Sequence, residues 1–458
     1  MSLVEQIDAE VLRAWLVEQR WYASKAREVT QLTLLEVAPI EDEPEPLMAL
    51  ALVEARFHAG THELYQLPLG FRHADEGWSD GVIAQVGDRT MYDALADPAC
   101  AHRLTRAMRA GRRIEHEDGV WTFDTVNGLP DEEELAGVRS VGVEQSNTSI
   151  VFGDRLILKA YRRIEPGPNP ELELLRFLTE RGFDNIARLA GWYEHTGRLV
   201  DATLGLLQEF LAGGRDGWDL VLDALARGDD ATEHLTALGE VTARMHTVLG
   251  SDSADPTFAP EEPSTESLSL LLATIDEEIE AIFRSIPETE DVAPIAHRGQ
   301  EVRERLRGLA HTGGGGRIIR THGDYHLGQT MLTDRGWVVL DFEGEPARSL
   351  PQRRQKRSPL RDVAGMLRSF AYAASAVESL RGAAAPEGWE ERARETFLDS
   401  YLGSVDSRLL PHGVDSTRRL LSIFELEKAV YELRYELNNR PDWVGLPVSG
   451  IARLLEDA

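Results

Sequence analysis

Two hydrophobic periods divide this chain, an alternating one in its first half and a helical one in its second. Residues 5–20 carry helix-like spacing and lead into the aromatic-basic stretch "RWYASKAR". Short apolar runs follow, "LTLLEV" and "LMALALVEARF", split by the acidic-proline turn "EDEPEP". Together they predict an antiparallel sheet with one helix, ending near residue 90. Further on, two β-rich runs flank "FGDR" and predict a hairpin. "NPELELLRFLTERGF" predicts a helix with Asn169 as N-cap, Pro170 at the first helical position and Gly182 as the stop. Two more apolar stretches, "RLAGWYE" and "GLLQEFLAGG", close this half. Beyond residue 215 the pattern is helical, broken by "FAPEEPSTES" and the glycine-rich "HTGGGGR". The expectation is an α+β chain: an extra module over residues 1–90, a small β-rich lobe over 91–212, and a large helical lobe over 213–458.

Composition narrows the partners. The chain has 458 residues and a formal net charge of −29. Such a surface lacks the cations that neutralise phosphate backbones or anionic lipid, so neither nucleic acid nor membrane is expected as a partner. The single cysteine, Cys100, leaves no internal disulfide and no cysteine zinc site. The N-terminus has acids where a secretory leader would carry bases, and no apolar run reaches membrane-spanning length. A cytoplasmic protein is expected.

The candidate chemistry is concentrated in "HGDYHLGQTMLTDRGWVVLDFEGEP", residues 322–346. Asp324 is followed five residues later by Gln329, and twelve further on by Asp341, which closes the apolar run Val338-Val339-Leu340. An Asp, an amide and a second Asp at this spacing match the catalytic machinery of protein kinases. One carboxylate accepts the acceptor hydroxyl's proton, while an amide oxygen and the other carboxylate hold Mg2+ on the phosphates. His322 and His326 lie four apart without a good third ligand nearby, so hydrogen-bonding roles are favoured over a metal site.

Upstream, alternation in "LILKAYRR" puts Ile157, Lys159 and Tyr161 on one face of a strand. An inward lysine needs an anion. ATP phosphates, together with a helix glutamate, would supply it, with Glu173 the first candidate and Glu171 the second. "VEQSNTS" then covers the phosphates, offering Ser146, Asn147 and Thr148, although it has neither a G-x-G-x-x-G nor a Walker pattern. "LLQEF" suits an adenine hinge at Gln208 to Phe210 by its order in the chain.

On the acceptor side, "FELEKAVYELRYELNN" predicts a helix with Leu426, Ala429, Val430, Leu433 and Leu437 as its buried stripe. The other face carries Lys428, Tyr431, Glu432 and Tyr435, followed by Arg440 and Trp443. Rings with carboxylates and cations suit a sugar, and His322 is counted with this substrate set; packing against a second helix is the alternative for the tyrosines. Asp362 in "SPLRDVAGMLRSFAYA" is read as a helix cap or a brace for the catalytic loop. The basic run "RRQKR" either offsets charge near the nucleotide or is a solvated loop.

Taken together, these residues resemble the actinobacterial maltokinases, sugar kinases with the fold of eukaryotic-type protein kinases and aminoglycoside phosphotransferases. The likeness runs nearly end to end, through "EQRWYASKAR", "EQSNTSIVF", "KAYRRIEPGPNPELEL", "HGDYHLGQ", "ELEKAVYELRYE" and "RPDWV". "DFEGEPAR" with "SPLRDVAG" is its most specific part. The resemblance implies a bilobal protein-kinase-like fold with an N-terminal cap. It also implies ATP-dependent phosphorylation of maltose to α-maltose 1-phosphate for α-glucan synthesis, in a monomer or weak oligomer that can associate with a trehalose synthase. Asp324 would be the base, Gln329 and Asp341 the magnesium ligands, and Lys159 the phosphate contact. Tyr325 stands where the family pattern leads one to expect Leu or Phe. A kinase for another sugar or an aminoglycoside, and a non-catalytic scaffold, are the rival readings.

Overall fold

In the computed structural model, which describes residues 6–40, 45–116, 118–141, 147–287, 289–309, 316–346 and 348–456, the run Leu47–Phe57 is a strand buried on both faces. It is the second strand of a sheet formed by β1 (Val29–Pro39), β2 (Leu47–Phe57), β3 (His62–His73), β4 (Val82–Val86) and β5 (Arg89–Asp93), in the order β1-β2-β3-β5-β4. Its alternation sorts two cores. Ala49, Ala51 and Val53 pack with Leu12 and Leu16 of α1 (Ala9–Glu18). Met48, Leu50 and Leu52 face the opposite way, into a core shared with Trp121, Phe123 and Leu158. Helix α1 starts later than its spacing predicts because the Asp8 carboxylate accepts the Glu10 N–H at 2.9 Å and caps it there.

The second sheet contains β6 (Arg113–Glu115), β7 (Gly119–Thr125), β8 (Val138–Ser140), β9 (Asn147–Phe152), β10 (Leu156–Tyr161), β12 (Leu189–Gly197) and β13 (Ala202–Glu209). All its pairings are antiparallel, in the order β6-β7-β12-β13-β10-β9-β8. The short β11 (Arg163–Ile164) leaves it to pair with β3, so the two sheets are joined just after β10. A buried polar link joins them as well. Trp121 Nε1 donates to Glu36 at 2.5 Å, and His195 Nε2 lies 3.2 Å from the other oxygen of that carboxylate.

The predicted hairpin is present at β9–β10, turning through Gly153 and Asp154, both with positive φ. A Cβ at Gly153 would fall 1.8 Å from the carbonyl oxygen of Glu134, so only glycine fits there. Helix α2 (Pro98–Arg109) contributes Cys100 and Leu104 to the shared core. Helix α3 (Pro170–Glu180) starts where expected: Asn169 Oδ1 accepts from the N–H groups of Glu171 and Leu172 at 2.8 and 3.3 Å.

These elements make up one compact unit, which runs to Glu180 and takes back Ala187–Ala212. The other unit holds Arg181–Ile186 and the chain from Gly213. It has a small sheet of β14 (Arg215–Asp216), β15 (Thr330–Thr333) and β16 (Gly336–Val339) among helices. In chain order the helices are α4 (Gly217–Ala226), α5 (Thr232–Leu249), α6 (Thr265–Ser285), α7 (Gly299–Leu309), α8 (Leu350–Arg353), α9 (Leu360–Arg381), α10 (Trp389–Ser404), α11 (Val414–Asn439) and α12 (Gly445–Glu456). Helix α9 packs between α4 and α11, and α5 against α10. The predicted α11 stripe is buried at Leu426, Ala429, Val430 and Leu433, and half-buried at Leu437. No helix among the described residues is long and apolar enough to cross a membrane.

Candidate active site

The loop that carries Asp324 is anchored by one buried carboxylate. Asp362, in the first turn of α9, accepts the His322 N–H at 2.8 Å and the Gly323 N–H at 3.0 Å, and His246 Nε2 lies 3.1 Å from it. Burial by itself would raise the Asp362 pKa. Its hydrogen bonds from His246 and the Gly323 N–H outweigh that, with His322 adding its field, and hold it below the usual carboxylate value. Of the two roles expected for Asp362, this is the brace. His322 is buried and meets backbone through both ring nitrogens: Nε2 is 2.7 Å from the Leu340 carbonyl, and Nδ1 accepts the Asp324 N–H at 3.3 Å. The loop is thereby tied to the end of β16. Tyr325 turns inward and spends its hydroxyl on Thr242 at 2.8 Å.

Gln329 and Asp341 meet as their spacing predicts. Gln329 Nε2 donates to Asp341 Oδ2 at 3.1 Å, and the Leu340 N–H donates to the Gln329 carbonyl at 2.9 Å. Asp341 lies just past β16 with φ of 57°, a left-handed conformation that aspartate tolerates better than most residues and that recurs at functional sites. An amide and a carboxylate in contact offer adjacent hard oxygens, which suits a magnesium ion that keeps most of its waters.

In the other unit, Lys159 and Tyr161 converge from one face of β10 on Glu171. Lys159 Nζ lies 3.0 Å and the Tyr161 hydroxyl 2.8 Å from the same carboxylate oxygen. Sequence order put Glu173 ahead; the structure pairs the lysine with Glu171, because the Asn169 cap sets α3 so that its first turn buries Glu171 toward the strand. Asn147 and Thr148 open β9, and the Thr148 hydroxyl accepts from Arg162 Nε at 2.8 Å. Ser146 lies outside the described residues. Gln208 is the second-last residue of β13, half-buried, and Glu209 ends the strand. Phe210 follows it, with the Arg139 guanidinium 5.1 Å above its ring.

Of the predicted acceptor residues, His322 is buried with both ring nitrogens on backbone and does not line the cavity described next, and the others divide into three groups. Lys428 and Tyr431 line a polar cavity with Asp324, and Lys428 Nζ is 3.3 Å from Asp324 Oδ1. The cavity opens to solvent, and its volume is about 60 Å³. Glu432 instead turns into the protein, accepting from Arg368 Nε and Nη2 at 2.9 and 2.7 Å, since its position on α11 faces α9. Tyr435, Arg440 and Trp443 form a cluster at the end of α11. The Arg440 guanidinium sits 5.2 and 5.4 Å from the two rings and donates to Glu436, while Trp443 stacks on Tyr372.

Several lining residues were not singled out beforehand. Glu345, Arg348, Arg361 and Glu427 border the cavity beside Asp324, and Arg357 of the basic run is among them. Burial and the Glu345 carboxylate push the Tyr431 phenol up to about 12. For Glu345, Arg348 and Arg357 the sequence signal was charge in a short conspicuous stretch, "DFEGEPARSLPQRRQKR"; Arg361 and Glu427 lie beyond it, on α9 and α11.

A mixed α+β chain with a β-sheet N-terminal region and a helical C-terminal region has the architecture of a kinase-like phosphotransferase. Residues 137–394 match the phosphotransferase enzyme family, and residues 15–97 match the maltokinase N-terminal cap domain. The chain belongs to the phosphotransferase enzyme family. It is 29% identical to a glucosamine kinase of Streptacidiphilus jiangxiensis over 403 residues, covering 84% of this chain and 88% of that one. A glucosamine kinase of Mycolicibacterium smegmatis is 26% identical over 337 residues, 70% of this chain and 80% of its own. The same fold is seen in a structure of a glucosamine kinase in complex with glucosamine, ADP and inorganic phosphate, with a TM-score of 0.73 and 22% identity. That match covers 98% of this chain and all of the other.

Proposed function

We propose that this phosphotransferase is an ATP-dependent maltokinase, moving the γ-phosphate of ATP to the anomeric hydroxyl of maltose to give α-maltose 1-phosphate and ADP. The observation that carries the reading is the cavity in which Asp324, Lys428 and Tyr431 face one another. Its walls combine an aromatic surface with donors and acceptors for hydroxyls, as a neutral sugar requires. The match of residues 15–97 to a maltokinase cap supports the same acceptor.

In this mechanism Asp324 accepts a hydrogen bond from the sugar hydroxyl and takes its proton late in the transfer. Lys428 holds that carboxylate in one orientation. Asp362 and His322 keep the loop from moving as charge builds. Gln329 and Asp341 would hold magnesium, which supplies positive charge to the phosphate oxygens. Lys159, oriented by Glu171, meets the phosphates. Glu432, Tyr435, Arg440 and Trp443 shape α11 and its end around the cavity rather than line it.

A second reading is favoured by the names of the relatives: a glucosamine kinase. The amino sugar carries an ammonium, and the cavity wall holds Lys428, Arg348, Arg353, Arg357 and Arg361 against Asp324, Glu345, Asp362 and Glu427. That excess of cations suits a neutral acceptor better. The product would feed α-glucan synthesis in the cytoplasm, with a trehalose synthase as the partner that supplies maltose.

ADP release across maltose, glucose, glucosamine, trehalose and an aminoglycoside, with NMR of the product, tests the reading. Turnover on maltose with an anomeric phosphate supports it. Preferred turnover on glucosamine replaces it with the second.

A further inference from the structure

One guanidinium in the cavity beside Asp324, that of Arg357, is not in contact with a carboxylate among the described residues. Arg361 Nη2 lies 2.6 Å from Glu427, and Arg348 pairs with Glu345 and lies 3.8 Å from Glu427. Arg357 lines the same cavity, where Lys428 is already set against Asp324 and Asp362 is taken up by His246 and the loop backbone. Among the described residues Arg357 has no carboxylate partner; its Nη2 donates to the neutral side chain of Gln355 at 2.8 Å. The guanidinium is half-buried. Its pKa is brought down to about 10 by burial and by the neighbouring Arg361 and Arg348, against the fields of Glu427 and Glu345. The backbone of Arg357 is bridged in both directions to Ile319, so the side chain is carried by a rigid segment just ahead of the catalytic loop.

A desolvated cation crowded by like charges is costly unless an anion joins it. Guanidinium groups bind phosphate bidentately and lose little hydration in doing so. Hydroxyl-binding groups are near at hand, in Glu345, Glu427 and the ring of Tyr431.

We infer that Arg357 forms an anion subsite in the acceptor cavity and that the cavity takes a phosphorylated sugar, its hydroxyls on the carboxylate side and its phosphate on Arg357. This deepens the sugar-kinase reading and rests on it for the sugar half of the ligand. A ligand bound this way occupies the place of the acceptor and inhibits the enzyme. Its source is either the enzyme's own product or another sugar ester.

The test is calorimetric titration of the full chain, without ATP, using maltose 1-phosphate, glucose 6-phosphate and sodium phosphate. The titrations are repeated with maltose or glucosamine present. At least one ester is expected to bind more tightly than inorganic phosphate. Arg357→Gln is expected to weaken it roughly tenfold or more, the loss of a charge-assisted pair, and Arg357→Lys to weaken it less. Binding of maltose 1-phosphate alone identifies the product as the ligand, and binding of both esters a subsite that reads phosphate on either sugar. The inference is overturned if neither ester binds the wild type, if inorganic phosphate binds as tightly, or if a folded Arg357→Gln variant binds the ester like wild type. If glucosamine rather than maltose displaces the ester, the acceptor assignment fails while the subsite stands.

Discussion

Lys428 Nζ lies 3.3 Å from Asp324 Oδ1, so a residue of α11 sets the orientation of the carboxylate on the catalytic loop. Burial by itself would lower the lysine pKa. The nearby Asp324, Glu345 and Glu432 outweigh it and hold the ammonium above its usual value. The ammonium therefore stays charged at neutral pH. Its contribution is present below the ordinary lysine pKa and is lost as pH rises through the higher folded value.

Asp324→Ala should abolish turnover, by at least about a thousandfold, with the affinity for maltose within a fewfold of wild type. Single-turnover kinetics and equilibrium binding check it. Wild-type-like rates in this variant would remove Asp324 from the reaction. Lys428→Met should keep the base but free its orientation, giving a smaller loss.

Asp341→Asn should lower turnover by roughly three orders of magnitude, since a bound ion contributes several kcal/mol to such transfers. Gln329→Ala, which leaves the carboxylate, should instead raise the magnesium concentration needed for half-maximal rate. A magnesium titration of both variants separates the two outcomes; unchanged titrations in both would refute the metal assignment.

Asp362→Ala should destabilise the helical unit by about 3 kcal/mol, because two backbone N–H groups and His246 lose a buried charged acceptor. Urea unfolding measures it. A change below about 0.5 kcal/mol would mean that the loop is held by something else.

Arg162 is 1% exposed and donates to Asp93 at 2.6 Å and to the Thr148 hydroxyl at 2.8 Å, with its guanidinium 4.9 Å from the Trp21 ring. It ties residues of the front module to the start of β9. Arg162→Gln should cost about 3 kcal/mol of stability and raise the KM for ATP more than that for the sugar. Equal changes in both KM values would argue against a link to the phosphate loop.

His326 has a lowered pKa, chiefly because burial disfavours the imidazolium, with Lys428 and His322 adding to the effect against Asp324. The unfolded chain therefore takes up this proton first. Stability should be full above the unfolded value near 6.5 and decline as pH falls below it. Melting temperatures between pH 5 and 7.5 should fall less steeply toward acid in His326→Gln than in wild type.

The sequence by itself determined the local elements and the chemistry-bearing triplet. An apolar run became β2 and an alternating one β10, the Asn169–Pro170 signal became the start of α3, and the hairpin that follows the Asp324 loop brings Gln329 and Asp341, at its two ends, together. Such features depend on neighbours a few residues apart, and local spacing encodes them. Only the tertiary structure decided which face of α11 met what. Lys428 and Glu432 are four residues apart with the same apparent exposure in the sequence, yet one reaches Asp324 and the other is buried on Arg368. It also chose Glu171 for Lys159 and made cavity wall of Glu345, Arg357 and Glu427. Each choice depends on where a distant helix or strand packs, and a single sequence carries no periodic signal for a partner sixty or a hundred residues away.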